Sequence, residues 1–256
     1  MSEPRLPLVS MILTTRDRPR FLRIALACYA HQTYPARELI VVDDGDQAPA
    51  DAGAITAVGG RLIRVEPGTR LGTKLNHGVS AARGALCQKM DDDDWYGPRF
   101  LETMMATRKE QQTDVCRPAL SFLMPFLFFE LAPWEIRSSI PNNIPGATLL
   151  FEHDDWERRP FRNLPRDEDV WFFLDQLRAG SITIPVRAVE TYLAVRHHGA
   201  AGERSHTWTH QPGGQTLEQY MHDRPLYERQ PETILPEWAL AAYREIQTEP
   251  WRPGER

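Results

Sequence analysis

Four carboxylates follow one another at Asp91, Asp92, Asp93 and Asp94, the densest chemistry in this sequence. Like charges packed this closely repel, so a folded chain keeps them in water or gathers them around a cation. Carboxylate oxygens suit Mg²⁺ or Mn²⁺, ions usually held by one or two carboxylates together with phosphate oxygens. Two more acidic groups stand apart from the run, Asp43-Asp44-Gly45 and Glu168-Asp169. A carboxylate in such a group can accept from a nucleobase or ribose, or take a proton from a hydroxyl. Each has a plain reading when taken alone: Asp-Asp-Gly is an ordinary turn, and Glu-Asp is ordinary charge at a helix start. Chemistry requires a fold that brings all three to one cleft.

The flanking elements supply such a fold. Apolar runs predict strands over 8–13, 38–42, 61–65 and 85–90, the second ending at Asp43 and the fourth at the acidic run. Between them lie predicted helices over 20–30, with Leu22, Ala25, Leu26 and Tyr29 on one face, and over 71–82, with Leu75, Val79 and Ala82 inward. Pro98 opens another helix. Strands alternating with helices predict an α/β fold with a mostly parallel central sheet. Ligands in such sheets bind outside the carboxyl ends of the strands, where Asp43-Asp44 and Asp91 to Asp94 fall. Beyond residue 111 the rhythm changes. Strand and loop are expected over 114–129, a strand over 147–151, a short turn over 156–160 and a helix over 170–177 stopped at Gly180. Strands follow over 182–184 and 190–195, then weak helices near 217–221 and 238–246, with 250–256 frayed.

The 256 residues suffice for one large domain or two small ones, and 41% hydrophobic with 25% charged residues is ordinary for a globular chain. A net charge of −5 argues against nucleic acid as partner. Lys74, Lys89 and Lys109 are the only lysines, which reads first as compositional bias towards arginine and second as phosphate or carboxylate recognition by the arginines. Three widely spaced cysteines suit buried thiols in a reducing compartment. No signal pattern opens the sequence, and no apolar window is long enough to span a membrane. The greasiest stretch, 119–134, is broken by Pro125 and Glu130 and is expected to pack in the core.

In order and spacing, a set of words resembles the inverting glycosyltransferases of family two, which have a GT-A fold. They are Val9-Ser10-Met11-Ile12-Leu13-Thr14-Thr15-Arg16-Asp17, Gln32-Thr33-Tyr34-Pro35 with Glu38 to Gly45, Lys74-Leu75-Asn76-His77-Gly78, Met90 to Pro98, Gly146 to Phe151, Trp156 to Phe161, Glu168-Asp169-Val170 and Arg196-His197-His198. The resemblance runs from about residue 8 to about 198. It implies a GT-A-like (Rossmann-like) sheet and a nucleotide-sugar-binding half over 1–112. An acceptor-binding, catalytic-base half follows over 113–205, with a partly helical extension over 206–256. Thr14 and Arg16 then fall at the base or phosphates, Asp43 and Asp44 at the base, and Lys74 near the diphosphate. Asp91 to Asp93 match the DxD motif, with Asp93 the metal ligand and Asp91 or Asp92 towards the ribose; Asp94 leaves the register open by one, and Asp91 is a second metal candidate. Asp169 matches the catalytic base, with Glu168 second. His198, or else His197, reaches the metal or phosphate. The implied cofactor is Mn²⁺ or Mg²⁺. The implied partners are a nucleotide-sugar donor, UDP-linked by the position of Asp44, and a saccharide, lipid-linked or other hydroxyl acceptor. The implied place is the cytoplasm, with peripheral contact at the inner face of the membrane compatible with it.

The mechanism follows from chemistry alone. Displacing a nucleoside diphosphate from an anomeric carbon needs the leaving charge neutralised and a carboxylate within reach of the acceptor hydroxyl. At a helix start the dipole lowers that carboxylate's pKa and burial raises it, and sequence does not decide between them. Three rival readings remain: a sugar-nucleotide pyrophosphorylase, a non-catalytic nucleotide-sugar-binding protein, and, more remotely, a phosphohydrolase with Asp43 as nucleophile. The first would want a glycine-rich loop after the first strand, and Thr14-Thr15-Arg16-Asp17 has no glycine.

Overall fold

Strand β1 (Val9–Thr15) lies at the centre of the sheet and is buried along its whole length. The computed structural model describes residues 6–113, 116–139, 144–164, 167–197 and 221–248. Side chains alternate across a strand, so β1 serves two cores. Val9, Met11 and Leu13 face helix α1 (Pro19–Ala30), while Ile12 faces helix α3 (Leu71–Ser80). Such a strand is apolar on both faces, which is why it reads as a continuous hydrophobic run.

Around β1 stand β2 (Arg37–Asp43), β3 (Arg61–Arg64), β4 (Leu86–Asp91), β6 (Leu120–Leu123), β9 (Leu150–Glu152) and β10 (Thr183–Val186). Their order across the sheet is β10-β6-β9-β4-β1-β2-β3, and only β9 runs against its neighbours. Helix α2 (Ala52–Ala57) leads into β3, and α4 (Phe100–Gln111) packs with β6 and β10. On the α3 face lie α5 (His153–Arg158) and α6 (Glu168–Arg178), with Phe172 of α6 set against Phe151 and Phe161. Gly180, at φ 77°, ends α6 in the left-handed conformation that glycine adopts without strain.

A second sheet was not foreseen. It joins β5 (Trp95–Tyr96), β11 (Tyr192–Arg196), β7 (Leu127–Glu130) and β8 (Glu135–Ser138) in the order β5-β11-β7-β8. Two- to five-residue strands leave little periodicity to read. The greasy stretch supplies β6 and β7, and its Phe122, Phe126, Phe128 and Phe129 are buried. No helix among the described residues is long and apolar enough to cross a membrane.

Two expectations need correction. The strand expected over 147–151 is instead a 3-10 turn, Gly146–Thr148, followed by β9. Thr148 donates its hydroxyl to the Pro145 carbonyl and accepts from the Leu123 N–H, a local alternative to a strand ladder. The turn expected at 156–160 overlaps α5, which has Asp154 and Asp155 in its first turn and Arg158 in its last. The expected helix at 217–221 and the frayed end at 250–256 fall outside the described residues, apart from Met221.

Candidate active site

Parallel pairing puts the ends of β1, β2 and β4 at one edge, with Thr15 level with Asp43 and Thr14 level with Asp91. The loops leaving these strands build one wall of a cleft. Asp17, at φ 52°, accepts from the Gln47 and Ala48 N–H groups and ties the first loop to the second. Asp43 is buried and accepts from Gly45 N–H, Ala50 N–H and Arg64, so it closes the β2 loop. Asp44 is buried beside it. One Asp44 oxygen accepts from Lys74 Nζ at 2.6 Å, the other from Gly68 N–H at 3.1 Å, and Arg16 Nη1 lies at 3.5 Å. Lys74 Nζ also reaches the Thr15 carbonyl at 3.3 Å. In this arrangement Asp44 also organises the lysine and arginine of the cleft.

The four aspartates take four different roles. Asp92 turns inward, accepting from Thr15 Oγ1 at 2.7 Å and Arg18 Nη1 at 2.9 Å. Asp94 is also buried: it accepts from the Val195 N–H at 2.8 Å and from the Tyr192 hydroxyl, with Arg196 at 3.8 Å. Burial, with Asp93 adding to it, raises its pKa well above the usual carboxylate range despite Arg196. Asp94 therefore pins the loop to β11. Asp93 Oδ2 takes Arg18 at 3.0 Å and His197 Nε2 at 3.3 Å. Asp91 is the most open of the four, at 29% side-chain exposure, and meets Lys89 Nζ at 2.7 Å.

The other wall is the start of α6. Asp167 enters it at φ 62°. Glu168 is buried, and Asp169 is partly exposed, accepting from the Val170 N–H at 2.7 Å. Its carboxylate lies against Gly146, where an added Cβ would come within 1.5 Å of Oδ2, so no other residue fits there without displacing it. Burial raises the pKa of Asp169, with Lys89 and the Val170 N–H pulling the other way. Burial and the neighbouring Asp169 push Glu168 up to about 7. The folded state thus holds the Glu168 proton more tightly than the unfolded chain. That contribution is fully present below the ordinary value of 4.5 and is lost as pH rises towards about 7. Its size is on the order of 3 kcal/mol. The stability advantage of Glu168→Gln over the parent, followed by thermal unfolding, is expected to grow between pH 5 and pH 8; a constant difference would contradict it.

Thr14, Arg16, Asp43, Asp44, Lys74, Asp91, Asp92 and Asp93 thus gather at one sheet edge, facing Glu168 and Asp169. His198 lies outside the described residues, and His197 is the histidine placed at Asp93. Sequence reading missed the parts of Thr15, Arg18, Lys89 and Tyr192, and that of the C-terminal helix Glu237–Thr248. Tyr243 of that helix is buried, with its hydroxyl 3.4 Å from the Asp93 carbonyl. Only the single lysine within a buried strand offered a signal. The other exposed candidate, His153-Asp154-Glu157 on α5, has metal-ligand composition but stands apart from this cleft's residues.

An acidic cleft at the carboxyl edge of this mostly parallel, helix-flanked sheet defines a GT-A-like α/β domain. Residues 10–136, close to half of the chain, match the family described as Glycosyl transferase family 2. Over 121 residues it is 31% identical to EpsH of Bacillus subtilis (strain 168), a glycosyltransferase by name; the match covers 45% of this chain and 35% of EpsH. The chain therefore spans about a third of that relative's length. Solved structures with the same fold include S. aureus TarS 1–349 in complex with UDP-GlcNAc, at TM-score 0.58 and 15% identity over 78% of this chain and 62% of TarS. Another is the mannosyltransferase PcManGT from Pyrobaculum calidifontis with GDP-Man and Mn²⁺, at TM-score 0.56 and 18% identity over 79% of this chain and 59% of that one.

Proposed function

We propose that this protein transfers a sugar from a nucleoside-diphosphate sugar, UDP-linked, to a hydroxyl acceptor with inversion. The observation that carries the reading is the meeting of Asp91 and Glu168 at one ammonium: Lys89 Nζ lies 2.7 Å from the first and 3.9 Å from the second. The donor loop and the base helix therefore share a cleft. Asp169, beside Glu168 and partly open, takes the acceptor proton; its raised pKa makes it a stronger base than an ordinary aspartate. Arg16 and Lys74 face the diphosphate, and Thr14 lies at the same edge.

The donor set fits a divalent cation. Asp91 and Asp93 supply hard oxygens, and His197 already faces Asp93. Bound there, Mn²⁺ or Mg²⁺ would offset the charge of the departing diphosphate. That TarS was solved with UDP-GlcNAc and PcManGT with GDP-Man and Mn²⁺ supports both the donor class and the cation. The acceptor is a saccharide, a lipid-linked hydroxyl or another hydroxyl.

A thermal-shift panel tests the donor. UDP-sugars with Mn²⁺ are expected to raise the unfolding temperature by several degrees, since a ligand at about 100 times its Kd adds about 2.7 kcal/mol. UDP should exceed CDP and GDP. No shift with any nucleotide would remove the reading, and a GDP preference would redirect it to another donor.

A further inference from the structure

We propose that Lys89 is a positioning residue: a buried cation that ties the donor loop to the catalytic-base helix and sets the distance between them. The proposal rests on the glycosyl-transfer reading of the cleft and adds a residue to it. In β4, alternation places Cys87, Lys89 and Asp91 on the α3 and α6 face of the sheet. Cys87 sits there among Ile12, Leu75, Val79 and Phe172, the apolar company that a central strand normally keeps. Two residues on, Lys89 is 2% exposed. An ammonium at such a depth is expensive to desolvate and is retained only where it is paired.

Its partners come from two separate parts of the chain. Nζ donates to Asp91 Oδ1 at 2.7 Å and lies 3.9 Å from Glu168 Oε1. A second contact reinforces the same junction. The fully buried Tyr96 hydroxyl accepts from the Asp91 N–H at 2.8 Å and lies 3.2 Å from the Ala147 carbonyl, next to the Gly146 against which Asp169 rests. Asp91 is thus held from its side chain by the group that also reaches the base helix, and from its backbone by one that reaches the turn on which Asp169 rests. Lys89 touches neither sugar nor acceptor in this scheme; it acts through Asp91 and Glu168. A misplacement of about 1 Å in such a junction can cost about a hundredfold in rate.

The test compares Lys89→Met, Lys89→Gln and Lys89→Arg with the parent full-length chain. Calorimetry gives UDP affinity with Mn²⁺, and turnover is measured as UDP release from the UDP-sugar that binds best, normalised to folded protein. Lys89→Met is expected to lose at least about tenfold more in turnover than in affinity, and Lys89→Arg to recover part of the loss. Should Lys89→Met fail to fold, Lys89→Gln gives the same comparison. Turnover within about threefold of the parent, or turnover and affinity falling in step, would overturn the proposal and leave the transfer reading standing. A parent chain that neither binds nor turns over any nucleotide sugar would instead remove that reading, and the proposal with it.

Discussion

Asp169→Asn is expected to lower sugar transfer by about 10²–10⁴, the usual cost of a lost general base. Donor affinity should stay within about threefold, because a residue acting on the acceptor hydroxyl contributes to turnover and not to donor binding. The structure sharpens this expectation. The Asp169 carboxylate is pressed on Gly146 and takes the Val170 N–H, so an amide of the same shape keeps the packing and loses only the basicity. Glu168→Gln should cost less, since Glu168 is buried and faces Lys89 rather than the open cleft. Kinetics and calorimetry on both variants decide the order. An Asp169→Asn enzyme at full speed would move the base elsewhere.

Asp93→Asn is expected to abolish the metal dependence of nucleotide binding. In the parent, UDP should bind at least about tenfold more tightly with Mn²⁺ than in chelator, a difference of about 1.4 kcal/mol. In the variant the two affinities should converge on the weaker value. Asp93 is the member of the run that meets both Arg18 and His197, the histidine placed to share a cation with it. Calorimetry in chelator and in Mn²⁺ reads the difference. Equal UDP affinity in both conditions for the parent would sink the assignment.

The parallel half of the fold was legible because its strands are long and apolar on both faces: β1 and β2 are seven residues each and buried almost throughout. The second sheet was not, since β5 has two residues and β7 and β8 four each, too short for alternation to separate from a greasy loop. Acidic clusters were legible as clusters, but sequence could not divide the labour within them. Asp92 and Asp94 face inward because Thr15, Arg18, Tyr192 and Val195 meet them there, and the last two of these partners lie about a hundred residues away. Sequence assigned Lys89 no role, because the carboxylates that justify its burial come partly from α6. His197 and His198 could not be told apart by type. The end of β11 aims His197 at Asp93 and at the Phe21 ring. Asp44 was read as a base contact from its position after β2, and sequence carried no sign of its bonds to Lys74 and Gly68, which tie the loops together.

The central claim is that this cleft moves a sugar from a nucleotide with inversion, and NMR on the reaction tests it most directly. The parent chain would be incubated with Mn²⁺, the α-linked UDP-sugar that gives the largest thermal shift, and a panel of saccharide and lipid-linked acceptors. The first-formed anomeric signal would then be followed with time. A β-configured product, absent when Asp169→Asn replaces the parent, is the expected result. An α-configured product, or no release of UDP with any donor that binds, would contradict the account.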